Sequence, residues 1–243
     1  MSRIDRRQCL GVFAAGAGMV AGGGALSRLA FAADGIVPDE KSVLLVIDVQ
    51  NCFLPGGSLA VNDGDAIIPV INELAKKFEN VVMTQDWHTP GHISFASSHK
   101  GKNPFDTIEL PYGTQVLWPD HCVMGTESAE LAEGLDIPHA QLIIRKGYHS
   151  QVDSYSTFLE ADKATRTGLT GYLAERGLER IYACGLATDF CVSWSAIDAA
   201  SAGLEVAVIE DACRGIDIDG SVNAAWEQMA KAGIERLQST DFV

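Results

Sequence analysis

Cys191 lies in Gly185-Leu186-Ala187-Thr188-Asp189-Phe190-Cys191-Val192, where a strand-like run gives way to a helical pattern. A thiol at that crossing sits near a helix N-terminus, whose backbone N–H groups and dipole favour thiolate over thiol. The same amides can hold an oxyanion on a substrate carbonyl. A buried structural cysteine is the competing reading of this segment alone. Asp48 and Lys146 shift the balance, because each ends an apolar run, where an unpaired charge is costly. An Asp beside a Cys and a Lys can accept the thiol proton while the Lys steadies thiolate and carboxylate. A purely structural Asp–Lys pair is the alternative for those two residues.

A second constellation is Asp86-Trp87-His88, then His92, then Trp118-Pro119-Asp120-His121-Cys122. Asp and His two apart on an extended segment project to one side, and a third ligand can come from a later loop. Two imidazoles and a carboxylate, with the remaining positions left to water, suit one divalent ion: zinc first, with manganese and iron as alternatives. Cys122 is softer than this mostly N/O set and is placed outside it. His99, His139 and His149 read as exposed loop residues.

These residues need strand ends to converge. From Ser42 onward, apolar runs at 43–47, 81–83, 142–144, 181–184 and 206–209 alternate with helical patterns at 65–78, 168–176, 192–202 and 221–232. Continuous apolar strands alternating with helices predict a three-layer α/β/α fold with a mainly parallel central sheet, buried on both faces. In such sheets ligands sit beyond the carboxyl ends of strands. Asp48, Asp86, Lys146 and the 185–191 segment all follow strands directly. The polar stretch from Trp87 to Thr126 shows no clear core strand, and a stretch of that length inside a domain usually carries function.

Composition bounds the rest. The chain has 243 residues, 18 Lys+Arg against 32 Asp+Glu and a net charge of −14. That acid excess argues against nucleic acid or an anionic membrane as the main partner, since phosphate binding needs clustered Lys and Arg. Residues 1–32 differ from the remainder: Arg3, Arg6 and Arg7 precede an uncharged Ala- and Gly-rich run, and Ala30-Phe31-Ala32 offers a cleavage site. This predicts a cleavable twin-arginine-type signal, export to the periplasm and a mature chain beginning near Ala33. One domain then covers 35–243, with no membrane contact after cleavage, as a monomer or homo-oligomer. Five Cys remain once Cys9 leaves with the signal. An odd count with one working thiol and no C-x-x-C argues against a disulfide framework and a redox role.

The motifs also resemble those of a known family. Asp48-Val49-Gln50-Asn51-Cys52-Phe53-Leu54-Pro55-Gly56-Gly57 is similar to the D-x-Q-x-x-F-x-x-G-G opening of nicotinamidases (pyrazinamidases) in the isochorismatase-like hydrolase superfamily. Asp86 to Phe95 resembles their D-W-H-P-x-x-H-x-S-F segment, with Thr89 where Pro is usual, and Trp118 to Val123 resembles W-P-x-H-C-V. Arg145-Lys146-Gly147 and Gly185 to Val192 complete five collinear motifs. The resemblance implies hydrolysis of nicotinamide to nicotinate and ammonia through a thioester, with pyrazinamide as a further substrate. It makes Cys191 the nucleophile, Asp48 the general base and Lys146 the third member of a triad. The amides of Ala187 and Cys191 would form the oxyanion hole, with a cis Leu186–Ala187 bond. Asp86, His88 and His121 would hold the metal, with His92 as an extra ligand at lower weight. Phe53 and Trp118 would sandwich the pyridine ring, with Tyr155 lining the same pocket. Two alternatives stay open: an amidase for another small amide on this fold, and a non-catalytic periplasmic protein that binds a metal or ligand.

Overall fold

Val43-Leu44-Leu45-Val46-Ile47 offers apolar side chains to both faces of a strand, and this run forms β1 (Ser42–Ile47), with all six residues buried. The computed structural model describes residues 35–243; the signal read in residues 1–32 lies outside them. The other strands are β2 (Asn80–Asp86), β3 (Thr107–Leu110), β4 (Gly113–Val116), β5 (Leu142–Lys146), β6 (Arg180–Leu186), β7 (Glu205–Arg214) and β8 (Glu235–Leu237). Among the described residues four α-helices intervene: α1 (Ile68–Ala75), α2 (Leu169–Arg176), α3 (Ser193–Ser201) and α4 (Ser221–Lys231).

Six strands form one sheet in the order β5-β2-β1-β6-β7-β8, and every pairing in it is parallel. β2, like β1, is buried at each position, so both faces of the sheet centre are covered, as its continuous apolar strands require. The strand order turns back at β1: the chain moves to β2 and β5 on one side, then returns to β6 on the other. Such a reversal leaves a crevice at the carboxyl ends of the central strands. Asp48 follows β1 there, Asp86 and Lys146 are paired across the last rung of β2 and β5, and the turn bearing Cys191 follows β6.

The long 87–126 stretch differs from its sequence reading. It holds the antiparallel hairpin β3-β4, whose short strands are mostly half-buried and so lack the apolar run that marks a core strand. The short edge strand β8 was likewise hidden by its charged residues Glu235 and Arg236. No helix of the described residues is long and apolar enough to cross a membrane.

Candidate active site

Asp48, Lys146 and Cys191 meet at the crevice, and all three are buried. Lys146 Nζ lies 2.9 Å from Asp48 Oδ2, 3.4 Å from Cys191 Sγ and 2.8 Å from the Ser154 carbonyl oxygen to which it donates. It also donates to Asp86 Oδ1. Asp48 is held from the neighbouring strand: the Thr84 hydroxyl donates to Asp48 Oδ1 at 2.6 Å and accepts from the Asp48 backbone N–H at 3.2 Å. A ligand oxygen of Asp48, one of Asp86 and the Cys191 sulfur lie within 4.8 Å of one another.

The electrostatics suit proton transfer. Burial raises the Asp48 carboxyl above its ordinary value; Lys146 opposes this and nearby Asp86 adds to it. Burial also lifts the Cys191 thiol well above the ordinary cysteine value, against the pull of Lys146. Burial presses the Lys146 ammonium down, but Asp48 and Asp86 overcome it and hold the group well above the lysine norm. The lysine therefore stays charged, while the acid and the thiol compete for one proton.

Next to this triad stand Asp86, His88 and His121, all buried, with one ligand atom from each within 4.8 Å of the others. His88 Nδ1 donates to the Gly147 carbonyl at 3.0 Å, and His121 Nδ1 donates to the Pro119 carbonyl at 2.8 Å. Each bond fixes the tautomer that leaves Nε2 unprotonated. Those two Nε2 atoms lie 3.7 and 3.8 Å from Asp86 Oδ2. Burial depresses both imidazoles to about 4, so both are neutral near pH 7. Two oriented neutral imidazoles and one carboxylate, with positions left for water, fit a divalent ion such as zinc. His92 is differently engaged. Its Nε2 donates to the carbonyls of His149 and Val152 and its Nδ1 accepts from Ser94 Oγ at 2.8 Å. It groups with His88 and Asp153 rather than with Asp86 and His121.

One cavity of about 20 Å³ joins the two sets, and Phe53, Trp118, Tyr155, Ala187 and Cys191 line it together with Asp86, His88 and His121. The Leu186–Ala187 peptide is cis. Trp118 Nε1 donates to the Tyr155 hydroxyl at 3.1 Å, and Gln115 Nε2 donates to the same oxygen at 2.8 Å. The remaining walls, Leu59, Asp153, Phe190 and Ile216, were not singled out in the sequence. Nor was the role of Gln50. Its amide oxygen accepts from the Asp86 N–H, and its nitrogen donates to the Asp86 and Ala129 carbonyls, each at 2.8 Å. That clamp fixes the strand end from which Asp86 projects.

The cysteines add one covalent link. Cys52 and Cys122 form a disulfide 70 residues apart in sequence, a single bond where the odd Cys count argued only against a disulfide framework. The pairing arises because the turns after β1 and ahead of Val123 meet over the same crevice, a juxtaposition that counting cannot reveal. It agrees with Cys122 standing outside the candidate metal set. Cys184, Cys191 and Cys213 are free and buried. His149 and His139 are exposed as expected, but His99 is half-buried, with Nε2 donating to the Ile93 carbonyl at 2.7 Å.

The chain matches the isochorismatase domain family over residues 42–241. It is 60% identical over 204 residues to a nicotinamidase from Acinetobacter baylyi, covering 84% of this chain and 95% of that one. A solved nicotinamidase pyrazinamidase from Acinetobacter baumanii superposes with a TM-score of 0.83 at 61% identity, covering 84% of this chain and 98% of the other. A solved pyrazinamidase from Pyrococcus horikoshii in complex with zinc gives a TM-score of 0.67 at 35% identity, covering 82% and 99%.

Proposed function

The chain belongs to the isochorismatase domain family, and from that premise we propose that it is a metal-dependent cysteine amidohydrolase that converts nicotinamide to nicotinate and ammonia. Its curated nicotinamidase relatives support an amide hydrolase, and pyrazinamide is a second substrate on the same grounds. The observation that carries the reading is the meeting of Asp48 and Lys146 at Cys191, whose thiol lines one cavity with Asp86, His88 and His121.

Asp48 takes the Cys191 proton, and the thiolate attacks the amide carbon. The backbone N–H groups of Ala187 and Cys191 hold the oxyanion that forms. Asp48 returns the proton to the amide nitrogen, ammonia leaves and a thioester remains. Asp48 then deprotonates a water, which attacks the thioester; the carboxylic acid departs and the proton returns to sulfur. Lys146 stays an ammonium throughout, compensating charge on Asp48 and on sulfur. Phe53, Trp118 and Tyr155 position the aromatic ring. Asp86, His88 and His121 would hold one divalent ion, zinc first, which as a Lewis acid would anchor the ring nitrogen and order water beside it.

Ammonia release from nicotinamide, measured with and without chelator for wild type and Cys191→Ala, tests the reading. Wild type turns over and loses activity with chelator, and Cys191→Ala is silent. No turnover by metal-reloaded wild type refutes it. We propose further, on the sequence of residues 1–32, that the enzyme is exported.

A further inference from the structure

Asp189 is a buried acid that neither the triad nor the metal set uses. It sits in the turn Thr188–Val192 that presents Cys191. Its carboxylate bonds to the segment joining β7 to α4 and to the first residue of α4. Oδ1 accepts from the Ile216 N–H at 3.0 Å, and Oδ2 accepts from the Asp217 N–H at 2.8 Å and from Ser221 Oγ at 2.5 Å. The ladder between β6 and β7 ends at Leu186 and Arg214, so the carboxylate takes over where sheet pairing stops. Gly215 permits the approach, because a Cβ there would collide with Val222 and come within 3.1 Å of Asp189 Oδ1.

What the segment brings to the site is one side chain. Ile216 lines the cavity together with Leu59 and Phe190, and the free space between these walls is tight, about 20 Å³. The size of ring admitted depends on how far the walls can yield. Ile216 is half-buried, and Asp217 and Asp219 beyond it are left-handed, at φ 58° and 52°. Charge-assisted bonds to a buried carboxylate are strong and directional.

We propose that Asp189 is a positioning residue that locks Ile216 against the nucleophile turn, and that Ile216 sets the largest ring the site admits. This rests on the amidase reading above. Exclusion of ring-fused amides is then a property of the 215–221 segment.

The test compares kcat and KM for nicotinamide and for quinoline-3-carboxamide, using metal-loaded wild type, Ile216→Ala and Asp189→Asn. Ile216→Ala raises the ratio of kcat/KM for the fused ring over nicotinamide by roughly tenfold or more, the scale on which a few methylenes discriminate. Asp189→Asn moves the ratio the same way, because in either amide orientation its NH₂ would face a backbone N–H donor, of Ile216 or of Asp217. It raises KM for nicotinamide more than it lowers kcat, and iodoacetamide labels Cys191 at the wild-type rate. Should Asp189→Asn fail to fold, Ser221→Ala removes one bond of the lock and shifts the ratio less, in the same direction.

An unchanged ratio in Ile216→Ala overturns the proposal. So does an Asp189→Asn enzyme that loses kcat and Cys191 labelling with no change of ratio. Calorimetric binding of nicotinate and quinoline-3-carboxylate to the same proteins tests the wall without turnover. Wild type that binds nicotinate selectively but hydrolyses neither amide sinks the amidase reading and leaves the wall standing.

Discussion

Replacing Lys146 with Met removes a buried cation from between two carboxylates while nearly preserving side-chain volume. Lys146 is fully buried, and its ammonium is shared among Asp48, Asp86, the Ser154 carbonyl and the Cys191 sulfur. Removing one partner of a buried ion pair costs about 3–5 kcal/mol, because the charge left behind has no solvent. Here two carboxylates are left, so one must take up a proton. Asp48 is the one, since burial already raises it and Asp86 adds to that. The sign of the pH dependence follows. A carboxyl raised above its unfolded value binds its proton more tightly in the folded state, so stability is regained as pH falls through the folded-state value. Urea denaturation should therefore show Lys146→Met losing about 3–5 kcal/mol at pH 8, less at pH 5, with ammonia release abolished at both. In Lys146→Met/Asp48→Asn one of the orphaned charges is gone, so the double variant is more stable at pH 8 than Lys146→Met and loses most of its excess pH dependence. A Lys146→Met protein within 1 kcal/mol of wild type, or a double variant as unstable as the two single losses added, refutes the shared-cation account.

Gly147→Ala strikes the candidate metal set from outside it. The residue is left-handed at φ +72°, and a Cβ would lie 2.7 and 2.8 Å from two atoms of the His88 ring; displacing that ring lowers metal affinity by roughly 10- to 100-fold, read by competition with a chromogenic chelator. Asp86→Ala should lose bound metal on purification, by elemental analysis, together with activity; retention of both rules out the ligand assignment. Asp48→Asn should lower kcat by roughly 10²–10⁴-fold, the usual scale for a general base, while metal content stays at the wild-type level. Paired Arg6→Lys and Arg7→Lys changes should block export of the full chain, judged by cell fractionation, and unchanged export counts against a twin-arginine signal.

The charged side chains of the candidate site were legible because charge at the end of an apolar strand is anomalous. Asp48 and Lys146 stand out against Val43–Ile47 and Leu142–Ile144, and strand alternation with helices places such ends along one edge. The sheet was legible for the same reason, since strands buried on both faces leave uninterrupted apolar runs. The hairpin β3-β4 and the edge strand β8 were not, because half-exposed strands mix polar and apolar residues. Asp189, Gln50 and Thr84 escaped a functional reading for a different reason. Their partners lie 27 to 79 residues away, and a buried polar residue shows its purpose only once the atoms it satisfies are in view. The Cys52–Cys122 bond belongs with them, as a contact between two loops that only the crossovers bring together.

The crevice at the sheet's point of reversal separates two kinds of inheritance. Most groups that would move protons or hold an ion, Asp48, Asp86, Lys146, His88 and Cys191, project from strand ends of the parallel sheet or from the turns after them, while His121 comes from the loop after β4. Groups that line the cavity and would face the ring, such as Leu59, Trp118, Tyr155 and Ile216, come from connecting segments that no ladder constrains in the same way. Mutations in those connections can reshape what enters while the chemistry beneath is left standing. A lineage built on this plan can therefore drift between aromatic amides by loop substitution alone, whereas a change of reaction would demand rebuilding the sheet's edge.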